Sequence, residues 1–164
     1  MKVDIYIAGS NRQPKAEERW MGYLIQAEGY GRRGERCGAE SIDATCYKAT
    51  IIMIIRALDC FTRPADITIH IENGWIVGNL IRFEQTDKSM KSQLELWQEN
   101  GWKTKRGTAV KNKDDWQRLY NKLRVFEQSG GTFEFVRMQE DDETDGDSRG
   151  KIVRTIERSM TDPD

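Results

Sequence analysis

Two segments of alternating apolar residues flank one segment of helical periodicity, and this order constrains the fold more than any other feature. Residues 3–7 and 67–71 place Val or Ile at every second position, as in β-strands with one buried face. Residues 47–58 instead carry their large apolar side chains on one face at helical spacing. A strand, a helix and a second strand in this order predict a crossover within one sheet.

Weaker patterns complete the element order. Glycines at 29, 31 and 34 predict a connection between two further strands, and Pro64 sets the end of the central helix. A strongly acidic stretch at 139–147, with six acidic residues and no basic one, is interpreted as a solvated loop. The other predicted elements are strands at 20–26, 33–39 and 133–137, and helices at 75–83, 93–100, 114–126 and 152–160.

This order predicts the fold class. Antiparallel strands followed by strand–helix crossovers indicate an α/β protein with a mixed five-stranded sheet and helices on both faces. The 164 residues are enough for one domain with a substantial core, predicted over residues 1–160, with a frayed tail at 161–164.

Composition excludes several classes. No apolar run approaches the roughly 18 to 20 residues that span a bilayer, and residues 1–10 lack the continuous apolar stretch of a signal peptide. The three cysteines lack CxxC spacing, which argues for reduced thiols and against a zinc site. We therefore expect a cytoplasmic protein without a membrane partner.

A basic, tryptophan-rich segment stands out at residues 101–119, GWKTKRGTAVKNKDDWQRL. Residues 99–124 contain eight basic and three acidic side chains, whereas the whole chain has a net charge of −1. A basic block on a nearly neutral protein predicts a local surface for an anionic partner. Trp97 and Trp116 are predicted to pack between helices, and Trp102, beside Lys103, to be an exposed contact.

This segment and the element order resemble the type 1 ribonuclease H family. GWKTKRGTAVKNKDDWQRL is similar to the basic handle of bacterial ribonuclease H, where a W–K–V-K-N–WQRL pattern occurs. VDIYIAGS, ITIHIENGWIVGNL and TFEFVR resemble the family's first, fourth and fifth strands with their flanks. The resemblance implies the ribonuclease H fold and a handle that grips an RNA–DNA hybrid. The residues implied as contacts to nucleic acid are Trp102, Lys103, Lys105, Arg106, Lys111 and Lys113.

The chain departs from the family at the catalytic carboxylates. In that family four carboxylates hold two metal ions, which activate water and stabilise the leaving oxygen. The corresponding positions are Ala8, Thr50, Glu72 and Gly150, so Glu72 alone keeps an acidic side chain. We therefore predict no catalytic residue and no metal cofactor. Glu72 and the nearby Asp147 are the residual candidates for binding Mg²⁺ or Mn²⁺.

The sequence also lacks a counterpart of the family's histidine. The family's flexible-loop histidine falls in the stretch MQEDDETDGD, which contains none. The single histidine, His70, lies two residues before Glu72 and has no partner identifiable from the sequence, so it is interpreted as a packed residue.

Three functions stay open at this point. The first is a catalytically inactive ribonuclease H-like protein that binds structured RNA or an RNA–DNA hybrid through the handle. The second is an interaction protein or inhibitor, of the kind carried by phages and mobile elements, that binds a nucleic-acid-processing enzyme or joins a ribonucleoprotein complex. Its acidic stretch at 140–147 would then mimic phosphate. The third is a weak metal-dependent ribonuclease with a rearranged site around Glu72.

Overall fold

A computed structural model of the protein describes residues 1–11 and 13–161. The strands are β1 (Lys2–Gly9), β2 (Glu17–Gly29), β3 (Arg32–Ala44), β4 (Asp66–Ile71), β5 (Phe83–Glu84), β6 (Met90–Lys91) and β7 (Thr132–Arg137). The helices are α1 (Cys46–Leu58), α2 (Gly74–Gly78), α3 (Gln93–Glu99), α4 (Lys113–Gln128) and α5 (Glu143–Thr161).

The main sheet has five strands in the order β3-β2-β1-β4-β7. The first three strands form an antiparallel meander, and β4 and β7 run parallel to β1. Parallel neighbours need long connections, which α1 supplies before β4 and α2 to α4 supply before β7. The predicted mixed five-stranded sheet is confirmed.

Helices cover both faces of this sheet. On one face, Ile5 of β1 and Ile69 of β4 pack in a large core with Ile54 of α1 and Trp116 of α4, all fully buried. On the other face, α5 covers a smaller apolar cluster: Tyr6, Ala8, Leu24, Met138, Ile152 and Ile156. The strict alternation of β1 and β4 separates these two cores.

Strands β2 and β3 are longer than the strands predicted at 20–26 and 33–39. Arg19, which lies just before the predicted start of β2, is 2% exposed. Its guanidinium donates hydrogen bonds to the carbonyl oxygens of Gln13, Lys15 and Ala44. These acceptors satisfy the buried cation, so β2 begins earlier than its apolar pattern suggests.

The helix predicted at 75–83 is wrong in its second half. Asn73 caps α2 by accepting a hydrogen bond from the Ile76 amide at 3.0 Å, and the helix ends at Gly78. The chain then forms a two-stranded hairpin in which Phe83 pairs with Lys91.

The acidic loop predicted at 139–147 is also wrong in its second half, because α5 begins at Glu143. Asp142 accepts a hydrogen bond from the Asp145 amide at 3.0 Å, as a capping residue does. Acidic residues in the first turn also interact favourably with the helix dipole. At the other end, α5 includes Thr161, the first residue of the tail predicted at 161–164, and residues 162–164 lie outside the described residues.

Two further features bear on the compositional predictions. In the part of the chain that the structure describes, no helix has the length and apolar character to cross a membrane. Cys37, Cys46 and Cys60 are free thiols, and Cys60 lies just beyond the end of α1.

Candidate functional site

The basic handle is a small hairpin between α3 and α4. Lys103 forms a bridge with Ala109, and the amide of Thr104 donates to the carbonyl of Thr108 at 2.8 Å. The Gly107 amide donates back to the Thr104 carbonyl at 2.9 Å, and Gly107 has a φ of 82°. This is a three-residue hairpin loop that needs glycine at its left-handed position. It places Lys105 and Arg106 at the tip.

The predicted exposure of Trp102 is wrong. Its side chain is 6% exposed and packs edge to face against Tyr120 of α4, with ring centroids 6.3 Å apart. The Trp102 amide donates to the Trp97 carbonyl at 2.7 Å, which fixes the chain reversal at the end of α3. Trp97 and Trp116 are confirmed as core residues, with centroids 5.5 Å apart. Trp102 is therefore the base of the handle rather than its contact surface.

Unpaired positive charge is concentrated on this hairpin and the start of α4. The five predicted phosphate contacts are all exposed, and none has an ion-pair partner among the described residues: Lys103, Lys105, Arg106, Lys111 and Lys113. Two other bases nearby have acidic partners, since Lys122 pairs with Asp59 and Arg118 lies 4.0 Å from Asp115. The handle is therefore a smaller and more concentrated cationic surface than the residue count suggests.

Three of the four positions that correspond to the family's carboxylates line a cleft at the carboxyl end of β1 and β4, whereas Gly150 lines a separate depression. The cleft has a volume of about 340 Å³, and its lining includes Ala8, Thr50, Glu72, Trp75 and Arg137. Ala8 is 1% exposed and Thr50 is 3% exposed. The Thr50 hydroxyl donates to the Cys46 carbonyl at 2.6 Å within α1, so it turns back onto its own helix.

Glu72 is paired with a cation of the protein. Its Oε2 lies 2.5 Å from Nε of Arg149, and Nη2 of Arg149 lies 3.5 Å from the carbonyl oxygen of Gly9. The Glu72 side chain is 11% exposed. Arg149 immediately precedes Gly150 in α5, so this helix contributes a positive charge where the resemblance implies a carboxylate.

Asp147 does not join Glu72. It lies on α5, not in a loop, and lines a separate depression with Lys151 and Arg154. Within residues 1–11 and 13–161, no three His, Cys, Asp or Glu side chains lie close enough to hold a metal ion. Two-metal chemistry needs several converging carboxylates. The donor set present does not fit such a centre.

The sequence did not reveal a partly buried polar cluster that joins β1 and β4. Nε2 of His70 lies 2.9 Å from Oδ1 of Asp4, and the imidazole stacks on the Tyr6 ring with centroids 4.3 Å apart. Burial raises the pKa of the Tyr6 phenol, and its hydrogen bond with Ser148 offsets part of that rise. His70 is thus a packed residue, as interpreted, but it has the carboxylate partner that the sequence did not reveal.

The comparisons with known proteins agree with this architecture, although no family model matches the chain. A curated ribonuclease H from Janthinobacterium sp. (strain Marseille) is 29% identical over 118 residues, which are 72% of each chain. LC9-RNase H1, described as a type 1 RNase H with the type 2 active-site motif, has a TM-score of 0.62 at 19% identity; the match covers 96% of this chain and 72% of the other.

A viral structure has the same fold. The foamy viral protease-reverse transcriptase in complex with an RNA/DNA hybrid matches 94% of this chain and 19% of its own, with a TM-score of 0.61 and 13% identity. The chain is therefore ribonuclease H-like in fold. Its curated relatives are bacterial ribonucleases H, and the resemblance seen in the sequence is confirmed.

Proposed function

We propose that this protein is a catalytically inactive ribonuclease H-like protein that holds nucleic acid, either structured RNA or an RNA–DNA hybrid, through its basic handle. The observation that carries this proposal is a contrast between two sites. The handle presents cations at a hairpin tip with no ion pair among the described residues, whereas the acid at the position of a family metal ligand is paired with Arg149. Relatives named ribonuclease H, and a neighbour solved with an RNA/DNA hybrid, support the class of ligand.

Binding would depend on phosphates. Lys105 and Arg106 project from the tip, and Lys103, Lys111 and Lys113 flank it along one basic surface. Contacts of this kind position a duplex through its backbone and carry little sequence information. They release counterions, so affinity should fall steeply as salt rises.

Cleavage is not expected from the residues at the cleft. Ala8 and Gly150 have no side chain that can coordinate a metal, and the Thr50 hydroxyl is engaged within its helix. Glu72 is the one position that keeps a carboxylate, and its charge is balanced by a guanidinium. Removing even a single ligand usually disables a two-metal centre.

The handle is tested with a double variant, Lys105→Gln with Arg106→Gln. We expect weaker binding to an RNA–DNA hybrid and a shallower dependence of log affinity on log salt, by about 0.9 per lost phosphate contact on duplex DNA. The matched control is Arg33→Gln with Lys88→Gln, because both side chains are 85% exposed but pair with Glu28 and Glu84. Equal slopes in the handle variant and the wild type would contradict the proposal.

A further inference from the structure

We propose that the cleft has become a metal-independent phosphate site, in which Arg137 supplies the positive charge that metal ions supply in the family. This inference rests on the proposed function and names a second contact for the same nucleic acid. It concerns a side chain that the sequence did not single out.

Arg137 is an exposed cation at the cleft. It is the last residue of β7 and lines both the 340 Å³ cleft and an adjoining open depression that contains Arg149. No ion pair of Arg137 occurs among the described residues, whereas Arg149 is engaged with Glu72. Its charge is therefore available to an anion.

The Arg137 guanidinium packs against Gly74, which also lines the cleft. A Cβ atom placed on Gly74 would lie 2.8 Å from Cζ of Arg137 and 3.0 Å from Nη1. The planar group thus lies directly against the glycine backbone, at a distance that a side chain at 74 would not permit. Trp75, the next residue along α2, lines the same cleft as this fork of N–H donors.

Trp75 provides an aromatic surface in the same cleft as Arg137. Its side chain is 49% exposed, yet the ring is supported by Tyr47 at 5.2 Å and Trp116 at 6.3 Å between centroids. An exposed, supported indole in one cleft with a guanidinium suits a nucleotide, since the ring can pack against the base or sugar while the cation binds the phosphate.

The charges around Arg137 favour phosphate binding on the side of the cleft rather than on the side of the adjoining depression. Among the described residues that line the cleft, Glu72 is the one acid, and Arg149 neutralises it. The adjoining depression instead contains Glu140, Asp141 and Asp145, which would repel a phosphate. The site therefore lies between Arg137 and the polar side chains of Asn11 and Asn73, which also line the cleft.

The test compares affinity for an RNA–DNA hybrid with Mg²⁺ and with EDTA, using Arg137→Gln. We expect a loss of about tenfold, typical of a lost hydrogen bond to a charged group, and the same loss in both buffers. Arg137→Lys keeps the charge without the fork and should lose less. Gly74→Ala keeps the arginine but displaces its guanidinium, so it should also weaken binding. The control is Arg63→Gln, because this exposed arginine precedes the start of β4, at the end of the strand opposite the cleft.

The outcomes separate this inference from the proposed function. Weaker binding by Arg137→Gln in both buffers supports the site. If the handle variant binds weakly but Arg137→Gln binds as the wild type does, the handle stands and the cleft site is overturned. A loss seen only with Mg²⁺ would place a metal ion in the cleft and also overturn it. If the wild type does not bind the hybrid or a structured RNA, both proposals fail.

Discussion

Arg149 of α5 and Glu72 at the end of β4 form an ion pair, with 2.5 Å between Nε and Oε2. In the family that this chain resembles, the acidic position holds metal ions together with three other carboxylates. Here the helix that should bring the last carboxylate brings a guanidinium instead. The pair therefore joins the sheet to α5 and neutralises the remaining acid of the cleft.

Arg149→Met should destabilise the fold by about 1–3 kcal/mol, because it removes the cation that balances a largely buried carboxylate. Chemical denaturation measures the change in the free energy of unfolding. Lys151→Met is the matched control on the same helix, since its pair with Glu35 is 39% and 42% exposed and should be worth about 1 kcal/mol or less. Equal losses in the two variants would show that the Glu72 pair has no special structural role.

Trp102→Ala should cost about 3–5 kcal/mol in the free energy of unfolding, because it empties a buried site at the base of the handle. Trp102→Phe keeps much of the packing against Tyr120 and should bind nucleic acid as the wild type does. Denaturation and hybrid titration, both on folded protein, provide the two measurements. A folded Trp102→Phe protein with clearly reduced affinity would return Trp102 to the contact surface.

Stability should fall as the pH rises above about 10, the ordinary value for tyrosine. Burial raises the pKa of Tyr6 in the folded state, so above that pH the unfolded chain binds fewer protons than the folded one and is favoured. Below that pH, the Tyr6 phenol is protonated in both states and does not make stability depend on pH. Burial likewise raises the pKa of Tyr23. Tyr6→Phe should therefore flatten part of the alkaline decline, measured by denaturation at several pH values.

Tyr30 provides the control for this pH dependence. It is 98% exposed at the turn between β2 and β3, so Tyr30→Phe should leave the alkaline profile as it is in the wild type. An identical decline in Tyr6→Phe and the wild type would contradict the assignment to the buried phenol.

Periodicity predicted the parts of the fold where burial alone decides the structure. Ile67, Ile69 and Ile71 are each 2% exposed or less, and their alternation predicted β4 correctly. Periodicity failed where the hydrogen bonds of a single side chain decide where a helix or strand begins. Asp142 caps α5 and lets an acidic stretch begin a helix, and carbonyl groups around Arg19 let a polar stretch begin a strand.

Only the parts of the candidate site that depend on the identity of a single residue could be predicted from the sequence. The replaced positions Ala8 and Thr50 can be read from the chain, and the structure places both at one cleft. The partners of Asp4 and Glu72 cannot be read in this way, because strand register and helix placement bring together residues 66 and 77 positions apart. The burial of Trp102 likewise depends on α4, which follows it in the chain.

The central claim, that the protein grips a nucleic acid that it does not cut, is tested by one titration of a labelled RNA–DNA hybrid with Mg²⁺ or Mn²⁺ over a range of salt. Each sample is divided between a native gel, which gives the bound fraction, and a denaturing gel, which gives strand integrity. We predict a salt-sensitive complex in which the RNA strand stays full length. Cleavage that Glu72→Gln abolishes, or no complex even at low salt, would contradict the account.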